Sequence, residues 1–126
     1  MADFGPRAGL AYNPRLDEQT RQAEMSIDQL EQIARAMVAP GKGIIAIDES
    51  NTTIKKRFDA VGIDCTEENR RFYREMLLTT PQLSDHISGA ILYDETLRQS
   101  SRAGVPFAKI MMDNGILPGI KVDKGP

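Results

Sequence analysis

From Ser26 the apolar positions fall at helical spacing: Ile27, Leu30, Ile33, Ala34, Met37 and Val38 line one face, and Pro40 with Gly41 ends the pattern. Ser26 and Gln29 give that helix a capping box. The next apolar run, Gly43 to Ile47, is too short for a buried helix and rich in isoleucine, so it reads as a strand. It ends abruptly in charge at Asp48-Glu49-Ser50. Ile54, Phe58 and Val61 then recur at i, i+4 and i+7 behind a polar cap, and a second cap at Thr66 opens a helix through Glu67, Glu68, Phe72, Tyr73, Met76 and Leu77. The acidic pair falls in its first turn, where the helix dipole favours it. Ile87 to Tyr93 is a second strand, again ending in charge at Asp94 and Glu95. Residues 98 to 106 read as an exposed connection, Phe107 to Met112 as a short helix stopped by Asp113-Asn114-Gly115, and Ile116 to Val122 as a third strand.

The order is a helix, then βα, βα, β, with no repeats and no low-complexity tracts. Strands alternating with helices imply parallel crossovers, which leaves an open doubly wound sheet or part of a (β/α)8 barrel. An open dinucleotide-binding sheet wants a glycine-rich turn after its first strand, and Asp48-Glu49-Ser50-Asn51-Thr52-Thr53 contains no glycine. The expected class is therefore α/β, a partial (β/α)8 TIM barrel, whose strand ends carry working groups at the C-terminal rim. Residues 1–25 are polar, carry Gly5, Pro6, Gly9 and Pro14, and are expected to form a mobile arm with a short helical piece near Leu16 to Ala23. Residues 26–126 form the folded part.

Composition narrows the function. The 126 residues suffice for one domain, and 40% hydrophobic content is ordinary for a globular protein. With 16 basic and 18 acidic residues interspersed, the net charge of −2 supplies no field for nucleic acid or an anionic membrane. No apolar stretch approaches the roughly 20 residues of a membrane span, and the N-terminus lacks the apolar core of a signal peptide, so the expected location is cytoplasmic. One cysteine and one histidine exclude an internal disulfide and argue against a zinc site. Neither Cys65 nor His86 has a partner spaced for catalysis.

The fragments Pro40-Gly41-Lys42-Gly43-Ile44, Asp48-Glu49-Ser50, Lys56-Arg57, Thr66 through Arg74, Glu95-Thr96-Leu97 and Gly119 through Gly125 together make the chain, from about Ser26 onward, closely resemble the class I fructose-bisphosphate aldolases. That family's (β/α)8 barrel takes about 250 residues, so the resemblance implies an N-terminal part with the first three strands. For the complete enzyme it implies reversible cleavage of fructose 1,6-bisphosphate to dihydroxyacetone phosphate and glyceraldehyde 3-phosphate. The route is a lysine Schiff base, without metal or other cofactor, in a homo-oligomer. The Schiff-base lysine belongs to a later strand, so the 126 residues alone are expected to be inactive.

Five side chains carry the site hypothesis. If Asp48 points inward, the two-residue period sends Ile44 and Ala46 inward as well and turns Ile45 and Ile47 toward the helices. The resemblance gives Asp48 a part in proton movement at the substrate C4 hydroxyl. Lys121, at the end of the third strand, is the second catalytic candidate; strands one and three share a barrel layer, so the two could meet across the pocket. Ser50, Thr53 and Arg57 match residues near a substrate phosphate, which hydroxyls at a helix start and a forked guanidinium suit. Asn51-Thr52-Thr53 stands where many members have Thr-Gly-Ser. Glu49, Asp123 and Lys124 flank these positions and would orient them. The charged stretch Glu67 to Arg74 reads as the exposed face of an amphipathic helix. Two other readings stay open from sequence: a non-catalytic phosphate-binding or scaffolding half-barrel, and a small α/β domain whose Ser26 to Val38 helix meets a partner.

Overall fold

The structure, a computed structural model, describes residues 14–123, with side chains from residue 26. The chain divides into two units, residues 1–32 and residues 33–126.

Helix α1 (Pro14–Met37) begins at Pro14 rather than at the expected Ser26 cap. Proline suits the first helical position, where its missing N–H would find no partner, and residues 15–25 contain neither glycine nor another proline to stop the helix. Ser26 therefore lies inside a continuous helix, and the expected arm is helical from residue 14. Residues 1–13 lie outside the described residues. Ile27, Leu30 and Ile33 are exposed along α1.

In the second unit, β1 (Gly43–Ile47), β2 (Ile87–Leu92) and β3 (Leu117–Ile120) form a parallel sheet in the order β1-β2-β3. The connections carry α2 (Asn51–Asp59), α3 (Glu67–Leu78) and the single turn α4 (Leu83–His86) between β1 and β2, then α5 (Asp94–Leu97) and α6 (Phe107–Asp113) between β2 and β3. The sequence pattern misses both α4, which takes in His86 where a loop is expected, and α5, because four residues are too few for a periodicity to register. No described helix is long and apolar enough to cross a membrane.

Side-chain alternation sorts the sheet into two faces. Ile47, Ala90 and Leu92 pack with Leu78, Phe107, Met111 and Ile116 into the core, with Ile45 against its edge. Each fully buried Leu, Met or Phe side chain in such a cluster contributes about 1.5–3 kcal/mol. The opposite face carries Ile44 and Ala46, both exposed. This is the division expected for β1.

Caps set the element ends. Ser50 accepts a hydrogen bond from the Thr53 N–H, and Thr66 accepts one from the Asn69 N–H. Asn114 caps α6, and Gly115, at φ +71°, takes the left-handed conformation that lets the Ile116 N–H turn back to Met111 O at 2.9 Å. Helix α2 stops at Asp59, so Val61 escapes the expected apolar face and is 68% exposed, while Ile54 and Phe58 are buried. Phe58 meets Tyr73 of α3 edge to face, ring centroids 5.8 Å apart. Ser88 donates to Met37 O at 2.6 Å, tying the end of α1 to the middle strand.

Candidate active site

Continuing the strand register by one residue puts Asp48, Tyr93 and Lys121 in one row at the C-terminal end of the sheet. Ile47 pairs with Leu92, Leu92 with Ile120, and the Lys121 N–H extends the ladder to Leu92 O at 2.9 Å. Asp48 and Lys121 are thus two strands apart, about 10 Å by backbone spacing, and the long lysine side chain closes the gap. Lys121 Nζ lies 3.5 Å from Asp48 Oδ2, with both side chains about three-quarters buried. It lies nearer still to Asp123, at 2.7 Å. The Asp123 carboxylate, through its hydrogen bond, is the main reason that the Lys121 ammonium titrates above its ordinary range; Asp48 adds to this, and burial opposes it.

The three residues expected at a phosphate all lie on α2 or its N-cap. Ser50 Oγ and Thr53 Oγ1 touch at 3.2 Å at the start of α2. Arg57, farther along α2, turns back to pair with Glu49 Oε1. Its side chain is 57% exposed, and of its five N–H donors one bonds Glu49 while others are left to meet a ligand. Lys124 lies outside the described residues.

Arg74 is the residue that sequence reasoning missed. The charged stretch expected to be the exposed face of α3 is largely turned inward: Arg74 is 2% exposed, and Arg70 and Arg71 side chains are mostly covered. Arg74 Nε donates to Ile47 O at 2.8 Å and Nη2 to Glu49 O at 3.0 Å. Nη2 also lies 3.1 Å from Glu49 Oε2. That contact is an ion pair without an aligned hydrogen bond, and Oε2 is buried with no other partner. The guanidinium sits over the Tyr73 ring at 5.2 Å. Burial pushes Arg74 below its ordinary value, and Glu49 partly offsets this. Arg70 forks onto Glu95 at 2.6 and 2.8 Å and bonds Cys65 O, linking α3 to α5. The Glu95 bond raises Arg70 above its ordinary value. A signal did exist: at helical spacing Arg70 and Arg74 share a face with Leu77 and Leu78, an arrangement that places charge beside the core.

The fold and the site together define a class: a parallel α/β unit that gathers a carboxylate, an ammonium and a hydroxyl-capped helix start at the ends of its strands. The family model for class-I fructose-bisphosphate aldolase matches residues 29–126. The chain is 74% identical over 101 residues to a probable fructose-bisphosphate aldolase class 1 of Xanthomonas campestris, covering 80% of this chain and 30% of that protein. It is 73% identical over 101 residues to its counterpart in Xylella fastidiosa, with the same coverage. A solved fructose-bisphosphate aldolase of Plasmodium falciparum superposes with a TM-score of 0.75 at 51% identity, over 78% of this chain and 28% of that one. The chain belongs to the class I fructose-bisphosphate aldolase family, and it spans about a third of the length of the relatives it matches.

Proposed function

We propose that these residues form the opening segment of a (β/α)8 barrel that cleaves fructose 1,6-bisphosphate reversibly to dihydroxyacetone phosphate and glyceraldehyde 3-phosphate. The observation that carries this reading is the approach of Lys121 to Asp48 at 3.5 Å, at the C-terminal ends of β1 and β3. In cleavage the C3–C4 bond breaks and the C4 hydroxyl gives up its proton. Asp48 is the carboxylate that handles that proton, and Lys121 supplies positive charge beside it for the phosphorylated substrate. Ser50 and Thr53, with the α2 N-terminus, and the open donors of Arg57 receive a substrate phosphate. Glu49 orients Arg57, Asp123 orients Lys121, and Lys124 belongs to the same support. The Schiff-base lysine, and with it the electron sink for cleavage, belongs to a later strand of the barrel. The working enzyme is a cytoplasmic homo-oligomer of glycolysis.

Kinetics of the full-length aldolase carrying these residues test the assignments. Asp48→Asn keeps the shape and removes the charge, so turnover falls by roughly 10²- to 10⁴-fold, the scale of a lost acid-base group. Lys121→Met raises KM for the bisphosphate and slows turnover as well. Wild-type kinetics in both variants would refute the roles. The 126-residue chain, incubated with dihydroxyacetone phosphate and borohydride and then weighed, should carry no adduct; a trapped lysine that tracked with cleavage would place the Schiff base within it.

A further inference from the structure

Residues 48–50 lie between the last paired residue of β1, Ile47, and the first residue of α2, Asn51, so neither a strand ladder nor a helix fixes Asp48. Arg74 of α3 reaches into that gap. Its Nε bonds the carbonyl of the residue before Asp48, at 2.8 Å, and its Nη2 the carbonyl of the residue after it, at 3.0 Å. One planar, rigid fork thus grips the backbone on both sides of the carboxylate, and Glu49 Oε2 at 3.1 Å anchors the fork in turn. A core that needed only volume at this position would take leucine or methionine without the cost of burying a cation.

We infer that Arg74 is a positioning residue for Asp48: by clamping the carbonyls of Ile47 and Glu49 it sets where the Asp48 carboxylate stands relative to Lys121 and the substrate. The inference rests on the aldolase role given to Asp48. Lysine in place of Arg74 keeps the charge and most of the length but cannot hold two carbonyls in one plane. Displacement of a reacting group by about 1 Å can cost on the order of 100-fold in rate.

A double-mutant cycle in the full-length aldolase separates positioning from plain support of the fold. Arg74→Lys should lower kcat by about 10- to 100-fold with little change in KM, and in the Asp48→Asn background it should lower kcat by less than about 3-fold, because the group it places no longer works. Equal losses in both backgrounds, or an unchanged kcat in the single variant, overturn the positioning role. An Asp48→Asn enzyme with wild-type kcat overturns the role of Asp48 itself and this inference with it, which keeps the two failures apart. Should Arg74→Lys not fold, Glu49→Gln leaves both carbonyl bonds and loosens the anchor. Its smaller loss in kcat should likewise vanish beside Asp48→Asn, any effect through Arg57 appearing in KM, and a loss that persists overturns the inference.

Discussion

Lys121 Nζ stands 2.7 Å from the carboxylate of Asp123 and 3.5 Å from that of Asp48, so the lysine is held by its own strand end before it reaches the first strand. Both carboxylates favour the ammonium, and its raised value means that its stabilising pairing is present below the ordinary 10.5 and is lost only as pH climbs past the raised value in the folded chain. Asp123→Asn should therefore bring the Lys121 titration down further than Asp48→Asn does. Nitrogen-detected NMR titration of the lysine ammonium checks the order; a larger drop with Asp48→Asn would reverse it.

Glu75 accepts the Arg102 N–H at 2.9 Å and Arg71 Nη1 at 2.5 Å, which holds its carboxyl below the usual range. A lowered carboxylate stabilises the fold above its unfolded value and loses that contribution as pH falls through the folded one. Glu75→Gln should cost roughly 1.5 kcal/mol at neutral pH, the lower scale for a charged hydrogen bond, and the difference should shrink as pH falls through the lowered value of the folded carboxyl. Thermal melts of both proteins across acid pH measure this, and a gap that stays constant with pH would contradict it.

Gly89 sits in the middle strand, where an added Cβ would meet Met37 Sδ and approach Leu117 O to 3.3 Å. The sulfur lies at the end of a flexible chain and can yield, whereas the carbonyl belongs to the neighbouring strand. Gly89→Ala should be tolerated better than Gly89→Val, which overpacks the contact and costs about 1–3 kcal/mol in urea unfolding. Equal stability of the two variants would show that the strand shifts freely.

What the sequence determined by itself is local. The strand Gly43–Ile47, the cap at Thr66 and the stop at Asn114-Gly115 depend on residues within about one helical turn, and each stands where the pattern puts it. The parallel order of the strands follows from their alternation with helices, and with it the arrival of Asp48 and Lys121 at one end of the sheet. Tertiary structure alone decided which charges are dry. Arg74 meets Ile47 O, Arg70 meets Glu95, and Glu49 joins Arg74 to Arg57, all across 8 to 27 positions of sequence. A periodicity marks which residues share a helix face, but whether a charged face meets water or the end of a strand depends on what the rest of the chain packs against it. The buried guanidinium is tolerated because two strand-end carbonyls and a carboxylate take the place of the water it gives up.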